Sequence, residues 1–171
     1  NTLNACLDDD EYGLPRDLPG LGLDIGAHIG GVSVALLLDN PEMVVTAVEP
    51  VSDNLRLLRT NAIANGVGDR LRIIEGVAGA PGVKKGSVRH GFYGSEVATH
   101  HAFIGNAYLV PPHVSGAIET TVPSYSLRAL ISPIGNRPGL GLPKTVAFCK
   151  IDVEGAEYDI LRGPALRKLR V

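Results

Sequence analysis

The sequence predicts an α/β fold with a doubly wound, mostly parallel sheet. Three observations predict it. Short apolar stretches recur at Leu21–Ile25 and Met43–Val48, and Leu71, Ile73 and Ile74 mark a third over Arg70–Val77, the pattern of buried strands. Stretches with helical spacing alternate with them, first at Ile29–Leu38 and then after Pro50. The first strand closes on Asp24-Ile25-Gly26-Ala27-His28-Ile29-Gly30, a glycine-punctuated strand-to-helix turn.

Each element follows in order. Residues 1–20 are acidic and broken by Pro15, Pro19 and Gly20, so they read as a loop or short cap. Leu21–Ile25 is the first strand. The helix Ile29–Leu38 is apolar all round, hence buried, and stops at Asp39-Asn40-Pro41. Met43–Val48 is the second strand and ends at Glu49-Pro50. Ser52 or Asp53 is the expected cap of the next helix; Leu55, Leu58, Ala62 and Ile63 recur at helical spacing along it, and Asn65-Gly66 supplies a left-handed stop. Arg70–Val77 is the third strand. Such alternation gives right-handed crossovers, which bring all the strand ends and their loops to one edge.

Residues 79–123 break this pattern with many glycines and prolines, and are expected to form an insert or lid. Ala107–Val110 and Ala117–Val122 suit a hairpin around Pro111–Gly116. Leu127–Ile131 suits a short helix and Ser132–Pro143 a linker. Thr145–Ile151 is a fourth buried strand, followed by a helix at Ala156–Leu169. The whole is expected to be one domain over 1–171: a cap (1–20), a ligand-binding half (21–78), the insert (79–123), and the fourth strand with its helix (124–171). The chain opens at Asn1 and stops at Val171 in what reads as the entry to another strand, so the sheet is expected to lack its last strands here.

The composition narrows the class. The 171 residues are 44% hydrophobic and 20% charged, with a net charge of −2, an ordinary globular balance. No basic excess points to nucleic acid; Arg162, Arg167, Lys168 and Arg170 read as a solvated helix end. Cys6 and Cys149 make neither a disulfide framework nor a metal site, and Cys149, inside an apolar run, is expected to behave as a small hydrophobe. No apolar run is long enough to span a membrane, and no leader opens the chain. A reducing cytoplasm is the expected compartment.

Two motifs carry chemistry. In Asp24-x-Gly26-x-x-x-Gly30, Gly26 allows the tight turn, Gly30 lets the helix pack closely, and the helix start offers N–H groups. Glu49, ending the second strand, suits the ribose hydroxyls of NAD or of S-adenosylmethionine. A dinucleotide loop needs glycine where this chain has His28, so that backbone can approach a pyrophosphate; S-adenosylmethionine has no pyrophosphate. The second motif is Lys150-Ile151-Asp152-Val153-Glu154-Gly155-Ala156-Glu157, at the end of the fourth strand. Asp152 and Glu154 share a face if both stay extended, though helix capping is the plainer role for either. Glu157 suits the helix dipole. His28 is expected to pack beside the loop. His100-His101, in the insert, more often decorates a loop than reaches a substrate.

Three segments together resemble the FkbM-family methyltransferases: Asp24–Gly30; Val48-Glu49-Pro50 with the Asn54-Leu55-x-x-Leu58-x-x-Asn61 helix; and Lys150–Glu157 followed by Leu161-Arg162-Gly163. The phrase KIDVEGAEYDIL is the most specific of them. The resemblance covers residues 21–78 and 145–165, and TTVPSYSLRAL resembles the segment before the fourth strand. His28 replaces the family's usual asparagine, and Arg128 stands where an aspartate is common.

The resemblance implies a Rossmann-like sheet of the class I methyltransferase type. It implies methyl transfer from S-adenosylmethionine to a hydroxyl of a small molecule or sugar. By that likeness Asp24, Gly26, Ala27 and Gly30, with His28 beside them, line the methionine end. Glu49, with Pro50 and Asn54 next to it, binds the ribose. Glu75, Gly76, Val77 and Ala78 flank the adenine, and Asp152 sits near the transferred methyl. Asp152 is the first candidate for the base that takes the acceptor's proton and Glu154 the second. An RNA or other N-methyltransferase would share this cofactor half, and so would a non-catalytic S-adenosylmethionine-binding module.

Overall fold

The computed structural model describes residues 12–90, 103–104, 118–131, 146–153 and 157–161. Along them run β1 (Gly20–Ile25), α1 (Gly31–Asp39), β2 (Met43–Glu49), α2 (Ser52–Ala64), β3 (Leu71–Glu75), β4 (Val77–Ala78), β5 (Lys85–His90), β6 (Phe103–Ile104), β7 (Ile118–Tyr125), α3 (Leu127–Leu130), β8 (Val146–Ile151) and α4 (Glu157–Leu161). The main sheet has the order β3-β2-β1-β8 and is parallel throughout, as the apolar runs predict.

Alternation along the strands sends side chains to two cores. Met43, Val45 and Ala47 of β2 pack with Val34, Leu36 and Leu37 of α1 and with Leu58 and Ala62 of α2. Leu21, Leu23 and Ile25 of β1 point the other way, toward Leu127 and Leu130 of α3 and Ile160 of α4. The sheet is therefore covered on both faces. Gly22 lets α1 approach closely: a Cβ there would lie 3.1 Å from Met43 Sδ and 3.6 Å from Leu36 Cδ1.

The edge of the sheet opposite the glycine loop is closed by polar groups. Asn40, fully buried, donates to the Pro15 and Leu36 carbonyls and accepts from Leu18 N–H. The Arg70 guanidinium donates to the carbonyls of Leu37 (2.7 Å), Asn40 (2.9 Å) and Met43 (3.2 Å). The first two are groups that the end of α1 leaves without helical partners; the third opens β2. At the end of α2, Gly66 (φ +69°) makes the expected left-handed stop. Its N–H reaches the Ile63 carbonyl, and Val67 N–H reaches that of Ala62, the paired bonds of a Schellman ending.

Four expectations change. The third strand does not run from Arg70 to Val77. It breaks at Gly76 (φ +147°), where a Cβ would lie 2.5 Å from the Pro123 carbonyl oxygen. Beyond the break, Val77–Ala78 join a second sheet of order β4-β7-β5-β6. Second, the strand expected at Ala117–Val122 is present as β7 but pairs antiparallel with β5, from Lys85↔Pro123 to His90↔Ile118. The proposed partner strand at 107–110 lies outside the described residues, as do His100 and His101. Third, neither Ser52 nor Asp53 caps α2. Val51 is the cap residue and makes no side-chain cap bond; the carboxylate of Glu49 takes its N–H instead. Fourth, β8 is half-buried and Cys149 exposed, because β8 is an edge strand among the described residues. No helix among those residues is long and apolar enough to cross a membrane.

Candidate functional site

The ends of β1, β2 and β8 meet at the glycine loop. Gly26 (φ +83°) and Gly30 (φ +88°) both take the left-handed backbone, which glycine adopts without steric penalty. A Cβ on Gly26 would stand 1.9 Å from the Asp152 carbonyl oxygen. The first glycine is thus required by close approach of the loop to the end of β8. A Cβ on Gly30 would stand 3.0 Å from Leu58 Cγ, so the second glycine seats the loop against α2. His28 also has a positive φ, +53°, without being glycine.

The loop spends its N–H groups internally. Gly26 and Ala27 both donate to the Val48 carbonyl at 3.0 Å, and Gly30 donates to the Ala27 carbonyl at 2.8 Å. His28 N–H donates to Glu49 Oε2 at 2.9 Å. A diphosphate cradle needs such groups pointing at the ligand, and here they are taken.

Glu49 is 3% exposed. Its Oε1 accepts from Val51 N–H (2.9 Å) and from Asn54 Nδ2 (3.1 Å), and its Oε2 from His28 N–H. A carboxylate has about four lone-pair sites, so one acceptor position remains, on Oε2. Burial raises the Glu49 pKa above the ordinary glutamate value; the hydrogen bonds from Val51, Asn54 and His28 oppose that rise, and the nearby Asp24 charge adds to it.

Asp24 lies deeper, with no exposure. Ser33 Oγ donates to its Oδ2 at 2.7 Å, while Oδ1 has no hydrogen-bond partner among the described residues. Lys150 Nζ stands 3.5 Å from that oxygen and 3.6 Å from Asp152 Oδ2, and donates to the Gly26 carbonyl at 2.7 Å. Tyr12 completes the group. Its hydroxyl donates to Asp152 Oδ2 at 3.3 Å, and its ring centroid lies 5.7 Å from Lys150 Nζ, within cation–π range. Asp152 is about half exposed, and its N–H donates to the Ile25 carbonyl at 3.0 Å. No group of His, Cys, Asp or Glu suited to a metal ion occurs among the described residues.

A family model of the methyltransferase FkbM domain matches residues 24–171. The chain belongs to the FkbM methyltransferase family. A solved FkbM methyltransferase from Methylobacillus flagellatus KT superposes on 94% of this chain with a TM-score of 0.50 at 18% identity, a likeness of fold. The release factor glutamine methyltransferase of Aquifex aeolicus (strain VF5) is 32% identical over 68 residues, 40% of this chain. The C-terminal domain of precorrin-6Y C5,15-methyltransferase from Rhodobacter capsulatus is 27% identical over 44% of the chain and 36% of its own, with a TM-score of 0.33. The chain spans 24% of the glutamine methyltransferase's length and 32% of the solved FkbM chain.

On this FkbM edge the structure gathers Asp24, the 26–30 loop, Glu49, Asn54 and Asp152. Asp24 is sealed in and reaches a ligand only through its neighbours. Val77 and Ala78 point into cores, which leaves exposed Glu75 and the backbone at Gly76 on the expected adenine side. Pro50 is half-buried beside Glu49. Glu154 lies outside the described residues. Sequence reasoning gave no role to Lys150, Ser33 or Tyr12. The signal for Lys150 was present, since it stands two positions before Asp152 on one extended strand end. Nothing local marks Ser33 or Tyr12; the latter meets Asp152 across 140 positions.

Proposed function

We propose that this edge binds S-adenosylmethionine, and that the protein moves its methyl group to a hydroxyl of a small molecule or sugar. The observation that carries the reading is Glu49. Buried at the end of β2, it keeps one acceptor site on Oε2, which fits a ribose hydroxyl. The engaged N–H groups at Gly26, Ala27, His28 and Gly30 count against a dinucleotide. Family membership supports methyl transfer.

S-adenosylmethionine supplies an electrophilic methyl on a sulfonium. The protein's part is to align an acceptor oxygen and exclude water, worth about 7–11 kcal/mol in well-oriented systems. Asp152, half exposed at the end of β8, is the carboxylate to which we assign acceptance of the hydroxyl proton. The near-neutral charge balance supports a small-molecule acceptor over nucleic acid or a membrane, and the paucity of cysteines fits a cytoplasmic location. The match to a release factor glutamine methyltransferase favours a second reading, transfer to an amide nitrogen.

Thermal shift with S-adenosylhomocysteine and with NAD tests the cofactor, because a ligand of the native state raises its stability. Stabilisation by S-adenosylhomocysteine is expected; stabilisation by NAD alone refutes the reading. Turnover over a panel of hydroxyl and amide acceptors decides between oxygen and nitrogen.

A further inference from the structure

Lys150 is nearly buried, with a side-chain exposure of 10%, yet it belongs to no role assigned so far. A buried ammonium is costly unless paired and hydrogen-bonded. This one is supplied with both. It faces the Asp24 and Asp152 carboxylates from 3.5 and 3.6 Å, and its short hydrogen bond goes to a backbone oxygen of the glycine loop, Gly26, at 2.7 Å. Those three partners sit on different segments: the end of β1, the loop, and the end of β8. The Tyr12 ring lies over the ammonium, and the Tyr12 hydroxyl binds the same Asp152 oxygen that faces it.

We propose that Lys150 is the positioning residue of the site: its ammonium ties the Gly26 carbonyl to the Asp24 and Asp152 carboxylates, so that the glycine loop and the end of β8 stay in register for a ligand that spans them. The spanning ligand rests on the cofactor reading above; the tie itself does not. The β1–β8 ladder ends at Ile25↔Ile151 and the Asp152 N–H to Ile25 bond; past that point Gly26 has no Cβ between its backbone and the Asp152 carbonyl, and the Lys150 ammonium is the side chain that bonds the loop carbonyl there. An ammonium is a compact point charge with three donors, which suits three acceptors that converge from different directions.

Amide hydrogen exchange on the full chain tests it without a ligand. In Lys150→Met, exchange at Gly26, Ala27 and His28 is expected to rise at least tenfold while β2 stays protected; Lys150→Arg, which keeps the charge, is expected to restore most of that protection. Unchanged loop exchange in Lys150→Met overturns the proposal, and so does failure of the arginine to restore it. If Lys150→Met loosens the whole sheet, the double variant Asp24→Asn/Lys150→Met removes the stranded buried charge. A loop that is still loose there supports the proposal, and a protected one overturns it. S-adenosylhomocysteine is then added: wild type is expected to bind it, and Lys150→Met at least tenfold more weakly. A wild type that does not bind it sinks the cofactor reading and leaves the exchange result to decide the role of Lys150.

Discussion

His28 N–H donates to Glu49 Oε2 at 2.9 Å, a bond across 21 positions that fastens the middle of the glycine loop to the end of the neighbouring strand. It involves a non-glycine residue at φ +53° and is made by that residue's backbone.

Glu49→Gln turns one of the two acceptor oxygens into a donor. The amide group then faces an N–H, either that of His28 or that of Val51, and leaves it unsatisfied at a cost of about 1–3 kcal/mol. Both the denaturation midpoint and S-adenosylhomocysteine affinity are expected to fall, the second by roughly tenfold or more. Urea unfolding and calorimetric titration measure the two.

Glu49 also sets a pH dependence. Burial raises its folded pKa above the ordinary glutamate value, so the folded state holds the proton more tightly than the unfolded chain. Stability is therefore lost as pH climbs from the ordinary value through the raised one, and levels off above it. Subtracting the Glu49→Gln curve from the wild-type curve isolates this step. A difference that grows toward acid and levels off above the raised value is expected; the opposite slope would show that Glu49 is held in its ionised form.

Gly26→Ala and Gly30→Ala separate two demands of the loop. Both impose a left-handed alanine, at about 1–3 kcal/mol. At Gly26 the new methyl also meets backbone oxygen at 1.9 Å, whereas at Gly30 it meets the side chain of Leu58 at its Cγ, 3.0 Å away. The first variant is expected to lose markedly more thermal stability than the second and to bind S-adenosylhomocysteine poorly even when folded.

Asp152→Asn preserves shape while removing the proton acceptor. S-adenosylhomocysteine affinity is expected to fall less than in Lys150→Met, which loses all three contacts of the ammonium, and kcat with a working acceptor to fall by roughly 10²–10⁴-fold. Unchanged kcat would exclude Asp152 as the base.

Arg70→Met should behave in the reverse way. It strips three carbonyls of a charged donor, worth about 1.5–3 kcal/mol by hydrogen bonds to charged groups. The change lies at the opposite edge of the sheet. Lower unfolding free energy with unaltered S-adenosylhomocysteine affinity is expected.

What the sequence made legible is what local chemistry determines. Apolar runs placed β1 and β2, and glycines at 26, 30 and 66 marked backbone that leaves the usual region. Glu49 was found because it ends a strand. Contacts that close only in three dimensions stayed hidden. Arg70 reads as a strand residue until its guanidinium is seen under α1, and Tyr12 sits in a segment with no periodicity at all. The α2 start was misjudged because Ser52 and Asp53 are good caps by composition, while the carboxylate that holds the Val51 N–H belongs to the strand before. The break at Gly76 was missed because apolar character continues through it into Val77 and Ala78; only the clash a side chain would make with Pro123 reveals that the chain changes sheets.

That change of sheets has a mechanical meaning. Glu75 is laddered to Glu49 in the main sheet, Val77 to Ser124 in the second, and the residue between them donates its N–H to the Glu49 carbonyl at 3.2 Å. Along the chain the smaller sheet therefore joins the main one through a single residue, hydrogen-bonded to the backbone of the glutamate that faces the glycine loop. A shift of β7 would thus be felt at the Glu49 backbone across one residue and one hydrogen bond.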